Sequence, residues 1–156
     1  ARLHGARVLA TAGSERKLER VKALGADVVI DHHRQDVVAE VRGATGRRGA
    51  DVVVEHVGQA TWDRSLRALA PAGRLVTCGN TTGWEAAVDL RFLFSRQLSL
   101  LGSYMGTKGE LLQAAEFFFA GRLAPLVDSV LPLADAAEAQ RRLERGDVVG
   151  KLLLAP

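Results

Sequence analysis

Cysteine is almost missing from this sequence: Cys78 is alone among 156 residues. No disulfide framework and no four-cysteine zinc knot can form within the chain, and a reducing compartment is expected. Proline is scarce, at four residues, which excludes a proline-rich spacer or a collagen-like repeat. No apolar run approaches the ~20 residues of a membrane span. The opening Ala1-Arg2-Leu3-His4-Gly5 has no signal-peptide pattern either, so a cytoplasmic setting with no membrane partner is expected. Charge of one sign is also lacking, since 21 basic residues face 18 acidic ones for a net +3. The basic residues are scattered and mostly arginine, which argues against a nucleic-acid partner. There is no HExxH, no GxxxxGK, no EF-hand loop and no Ser-His-Asp set.

What is present is an ordinary globular balance, 47% hydrophobic and 25% charged, in a length suited to one domain or to one domain and part of another. Short apolar runs alternate with amphipathic stretches, the signature of parallel β-α-β units. Ala1 to His4 followed by Gly5 reads as the end of a helix, so more chain is expected upstream. Strands are predicted at Arg7–Ala12, Asp27–Ile30, Asp51–Glu55, Arg74–Cys78 and Leu98–Gly102. Helices are predicted from Ser14 to Leu24, after the cap Asp36, from Thr61 through Leu69, near Asp89–Ser95 and from Gly109 to Ala120. Gly43 to Gly49 reads as a turn. After Gly121 the rhythm changes to a proline-interrupted extended segment, a helix over Asp135–Arg145 and a last strand, Val148–Leu154. Proline near a strand end suits an edge, so this part is expected in a separate sheet. The fold class is α/β, with two parts, 1–121 and 122–156.

In an open parallel sheet, ligands bind beyond the carboxyl ends of the strands. The informative loops are therefore Ala12-Gly13-Ser14-Glu15-Arg16-Lys17, Asp31 to Arg34, His56-Val57-Gly58, Gly79 to Gly83, and Ser103 to Gly106. Their glycines suit close backbone approach to a flat ligand, and would equally serve as plain turns. An NAD site usually carries Asp or Glu after the strand that meets the adenosine ribose, and a 2′-phosphate requires its absence and a nearby cation. Here the strand Arg7–Ala12 ends in small residues, and Ser14, Arg16 and Lys17 supply a hydroxyl, a helix start and positive charge. A solvated helix start explains the same residues. Adjacent His32 and His33 are expected to point opposite ways and to hold no metal. Glu55 and His56 are expected on opposite faces of a strand, too far apart for a dyad. Cys78 is expected to be a small core residue.

Taken in order, ARVLATAGSERKLERVKALGADVVID (Ala6 to Asp31), GADVVVEHVG (Gly49 to Gly58), LAPAGRLVTCGNTTG (Leu69 to Gly83), RQLSLLGSYMGTKGEL (Arg96 to Leu111) and GKLLLAP (Gly150 to Pro156) resemble the medium-chain dehydrogenase/reductase superfamily. The similarity covers the whole chain and lies on the branch of quinone oxidoreductases and zinc-type alcohol dehydrogenases. It implies most of a Rossmann-like, doubly wound NAD(P)-binding domain over 1–121, without the first strand and glycine-rich turn. The segment 122–156 would then be the returning end of a catalytic domain. It implies hydride transfer between a nicotinamide, NADP preferred and NAD allowed, and a quinone, an enone or an alcohol/carbonyl substrate. The cofactor contacts it implies are Lys17, His32 in place of a family tyrosine, Val57, Gly58, Gly79, Asn80, Leu101 and Lys151, which join Ser14 and Arg16 from the loop itself. No catalytic residue and no metal ligand is expected in this chain, and zinc elsewhere in the parent is left open. A homodimer through the strand at Leu98–Gly102 is implied as well.

By itself the chain is expected to bind cofactor weakly and to do no chemistry. The missing central strand should leave a gap, for which Val148–Leu154 is the expected filler. A non-catalytic nucleotide-binding or redox-sensing module is the alternative reading of the same residues.

Overall fold

A computed structural model describes residues 1–156 and resolves two compact units, Ala1–Met105 and Gly106–Pro156. This geometric division falls ahead of the rhythm change at Gly121 and leaves the helix before it in the second unit.

The first unit is built on parallel strands. β1 (Leu9–Ala12) pairs with β2 (Val28–Asp31), Leu9 opposite Val28 and Ala12 opposite Asp31. β3 (Ala50–Glu55), β4 (Leu69–Thr77) and β5 (Ser99–Gly102) form a second parallel sheet in that order. Between β1 and β2 runs α1 (Glu15–Ala23), and between β2 and β3 runs α2 (Val37–Ala44). The Asp36 carboxylate caps α2 by accepting from the N–H groups of Val38 and Ala39 at 2.9 and 3.1 Å, which satisfies two of the four donors every helix start leaves open. α3 (Trp62–Arg67) joins β3 to β4, and α4 (Leu90–Ser95), capped by Asp89, precedes β5.

Two apolar clusters hold the unit. Ile30, Val41 and Ala68 pack with Leu9, Val28, Val37 and Ala50, so α2 and both sheets share one core. Leu66, Leu69 and Leu75 pack with Val53, Trp62, Val88, Phe92, Leu98 and Leu100 under α3 and α4. Leu75 is fully buried, a contribution of about 2 kcal/mol for a side chain of that size.

The α/β class and the parallel pairing agree with the sequence reading, and several details correct it. Leu69 is not the last residue of α3 but the first of β4, which carries Pro71 within it. The pairing jumps from Ala50–Leu69 to Val52–Arg74, so Pro71 lies in a bulge where its missing N–H interrupts no ladder bond. α2 continues through Gly43 to Ala44, so the turn begins later than expected. Cys78 lies past the end of β4 and is exposed, not buried in the core. The last strand does not fill a gap beside β1 or β3: it pairs with the strand preceding it in the second unit.

That second unit contains α5 (Lys108–Phe119), β6 (Val127–Pro132), α6 (Ala136–Glu144) and β7 (Lys151–Ala155), with β6 and β7 parallel in a two-stranded sheet of their own. α5 begins with a capping box in which Thr107 and Glu110 satisfy each other's backbone N–H. Asp128, whose side chain is only 5% exposed, binds Arg142 of α6 at 2.7 Å and accepts the Val149 N–H at 3.0 Å. One buried carboxylate thus ties β6, α6 and the approach to β7 together. No helix is long and apolar enough to cross a membrane.

Candidate functional site

The residues singled out by sequence in the first unit gather at the carboxyl ends of its strands, in two groups. The first surrounds Gly13, between β1 and α1. Ser14 stands at the N-cap of α1, but its hydroxyl makes no capping bond. Arg16 is exposed and Lys17 half-buried in the first turns of that helix.

His32 and His33 do not diverge. Alternation of faces holds only within a strand, and β2 ends at Asp31. There the chain folds into a turn in which Asp31 accepts the His33 N–H through Oδ1 at 2.9 Å, while its own N–H donates to Gln35 Oε1 at 2.8 Å. The turn brings the two imidazoles to 4.5 Å between ring centroids, edge to face. Both Nε2 atoms reach toward β1: a Cβ on Gly13 would stand 2.6 Å from that of His33 and 2.8 Å from that of His32. Only glycine leaves room for the pair. Burial lowers the proton affinity of His32, and the charges of His33, Arg64 and Lys17 lower it further, against a single opposing influence from Asp31. Asp31 is itself shared with Arg34 at 3.6 Å.

The second group is organised by Glu55, the last residue of β3, which is 3% exposed. Its Oε1 accepts from the N–H groups of Val57 and Gly58 at 2.7 and 3.1 Å and from the Thr61 hydroxyl at 2.8 Å. Its Oε2 accepts from the Ser65 hydroxyl at 2.5 Å. Burial pushes this carboxyl up, but the bonds from Ser65, Val57, Thr61 and Gly58 outweigh it and hold it below the usual carboxylate range. The loop so fixed carries the next one. The Val57 carbonyl accepts the Thr82 N–H and hydroxyl, both at 2.8 Å. Gly58 has φ +92° and lies so close that a Cβ there would meet the Gly83 carbonyl at 2.5 Å and the Asn80 Cα at 2.9 Å. Gly79 sits equally close to the His56 carbonyl. Val57-Gly58 and Gly79-Asn80 are therefore one interlocked surface. His56 is exposed and Glu55 buried, so they form no dyad.

The remaining sites stand apart. Leu101, opposite Val76 in β5, is 44% exposed. Lys151 opens β7 in the second unit, exposed, its N–H on the Leu126 carbonyl at 2.8 Å. Sequence reasoning missed His33, Arg64, Thr61 and Ser65 as parts of the site. The signal for the last two was there: hydroxyls six and ten residues beyond a strand-end glutamate fall on the near face of the following helix.

The residues present suit a nicotinamide dinucleotide, with cations and a helix start around Gly13 and close-packed glycine loops beyond β3 and β4. Among its buried polar atoms, His32 Nδ1 has no partner. A metal is a different matter. No group of three His, Cys, Asp or Glu side chains stands close enough to hold one, so the residues of this chain do not fit a zinc ion.

Comparison with known proteins gives the family. The family described as zinc-binding dehydrogenase matches residues 1–120. Quinone oxidoreductase 1 of Escherichia coli (strain K12) is 31% identical over 97% of this chain and 50% of its own length. The 2-haloacrylate reductase of a Burkholderia species is 31% identical over 100% of the chain and 50% of its own length. A crystal structure of an NAD-dependent alcohol dehydrogenase superposes with a TM-score of 0.93 at 46% identity, covering 100% of this chain and 46% of that one. The chain spans about half the length of the curated relatives it matches. The chain belongs to the zinc-binding dehydrogenase family, within the medium-chain dehydrogenase/reductase superfamily.

Proposed function

We propose that the full-length protein carrying this chain is an NADP-preferring oxidoreductase that moves a hydride between the nicotinamide and a quinone, an enone or a carbonyl compound. The nicotinamide supplies the two-electron hydride chemistry when bound. Residues 1–121 would contribute most of the nucleotide-binding portion and 122–156 the returning end of the catalytic portion. Ser14, Arg16, Lys17 and His32 would hold the adenosine ribose and its 2′-phosphate through charge-assisted bonds at the start of α1. Val57 and Gly58, locked to Gly79 and Asn80, would form the wall against which the flat cofactor lies, with Leu101 at its nicotinamide end.

The single observation that carries the cofactor preference is the setting of Gly13: two imidazoles converge there beside Lys17, and the strand end itself, Ala12-Gly13-Ser14, carries no carboxylate ahead of Glu15. An unpaired carboxylate at that point would repel a phosphate dianion, and cations attract it. β5 pairs only with β4, and its open edge supports a homodimer through Leu98–Gly102. The test of the activity is steady-state turnover by the full-length protein with NADPH and with NADH on a benzoquinone, a 2-enone and an aldehyde. NADPH-dependent reduction of at least one is expected. Failure on all three with either cofactor would overturn the reading.

A further inference from the structure

We propose that His32 and His33, with Arg64 of α3, form a proton-charged anion clamp, so that preference for a dinucleotide bearing a 2′-phosphate over one lacking it rises as the pair takes up protons. This rests on the cofactor reading above and extends it to His33 and Arg64 and to a dependence on pH.

The geometry is that of a clamp. The turn after β2 is pinned by Asp31, whose carboxylate receives the His33 N–H and whose carbonyl accepts the N–H groups of Arg34 and Gln35 at 3.2 and 2.8 Å. It presents both imidazole Nε2 atoms to the same point beside Gly13, at the start of α1. His32 Nδ1 is buried without a partner. Nε2 is the ring nitrogen that faces Gly13. Arg64 approaches from a third element, α3, whose start is fixed by Thr61 on Glu55.

The charges facing His32 are of one sign but for Asp31. From its own turn come His33 and Asp31, the latter shared with Arg34; from α1 comes Lys17; from α3 comes Arg64. Burial disfavours the His32 imidazolium, and the His33 ring, 4.5 Å away, and these cations add to that. A phosphate dianion bound in front of Gly13, within reach of the two Nε2 atoms, would reverse the balance by stabilising the charge a ring acquires. By linkage, what the anion does to proton affinity the protons do to anion affinity. Uptake of one proton on binding gives at most tenfold in affinity per pH unit, so a partial uptake across two units yields about tenfold. The ligand's own second ionisation near pH 6 sets the lower end of the window.

The experiment measures dissociation constants of NADPH and NADH for the full-length protein between about pH 6.5 and about pH 8.5. The ratio of NADPH to NADH affinity should rise about tenfold on acidification. His33→Gln, at an exposed position, should flatten that rise to under about twofold. Arg64→Gln should lower the ratio at every pH. A ratio flat with pH, or a rise that survives His33→Gln, overturns the clamp while leaving the cofactor reading standing. If neither dinucleotide binds, the cofactor reading fails separately, and adenosine 2′-monophosphate then decides the clamp by NMR. Displaced titration of the His32 and His33 ring protons toward higher pH supports it, and unmoved titration overturns it.

Discussion

Removing the Glu55 carboxylate should be among the most damaging changes in the first unit. The group is buried and accepts four hydrogen bonds, two from backbone and two from hydroxyls. Glu55→Gln keeps the shape. Its amide oxygen can still serve Val57, Gly58 and Thr61, and its NH2 can donate to the Ser65 oxygen once that hydroxyl turns away. What is lost is the charge in three or four bonds. A bond to a charged group contributes about 1.5–3 kcal/mol against about 1 for a neutral one, so a loss of about 2 kcal/mol is expected. Glu55→Ala leaves the same donors buried and unmatched, at about 1–3 kcal/mol each, for a total of about 4 kcal/mol after partial relaxation. Urea denaturation of the full-length protein, with an otherwise unchanged slope, measures both.

The pH dependence has a definite sign. The folded-state pKa of Glu55 is lowered, so its contribution is complete above the unfolded value of about 4.3 and is lost as pH falls through the folded one. Glu55→Gln should therefore be flatter than the parent below about pH 4.5. If Glu55→Ala costs no more than an ordinary surface change, under about 0.5 kcal/mol, the reasoning is refuted.

Other changes test other links. Leu75→Ala, in the apolar cluster under α3 and α4, should cost about 3 kcal/mol in the same denaturation assay. Asp128→Ala, which strands Arg142 and the Val149 N–H, should cost about 3 kcal/mol and expose the segment beyond Gly121 to limited proteolysis. Gly13→Ala puts a methyl group against both imidazoles. It should lower NADPH affinity by tenfold or more, by about 1.4 kcal/mol, while NADH affinity falls less.

Strands and helices were legible where pattern and local chemistry agreed. The apolar runs at β1, β2, β3 and β5, the cap Asp36 and the short helix near Asp89 lie where sequence places them, because strand periodicity and a cap's carboxylate are local properties. The α3–β4 boundary was not legible, because Leu69 continues the helical spacing of Trp62 and Leu66, and Pro71 looks like a stop. Only the pairing with β3, which bulges Pro71 out of the ladder, makes a strand there. Cys78 was misplaced by the same strand, which ends one residue before it.

The site divides the same way. Gly13, Ser14 and Lys17 could be singled out because they follow a strand in the order a phosphate site requires. His33 and Arg64 could not, since a side-chain turn at Asp31, which ends the strand's alternation of faces, delivers the one and a helix start pinned by the buried Glu55 delivers the other, and neither shows in the apolar pattern. The last strand misled for a related reason: its apolar pattern states that it needs a partner, and not which one.

The central claim is that the loops around Gly13 select a 2′-phosphorylated nicotinamide dinucleotide. Calorimetric titration of the full-length protein at neutral pH with NADPH and with NADH, repeated on Lys17→Ala, tests it most directly. The account predicts NADPH binding at least about tenfold tighter, a gap of about 1.4 kcal/mol that the substitution largely closes. Equal affinities that Lys17→Ala leaves unchanged would contradict it.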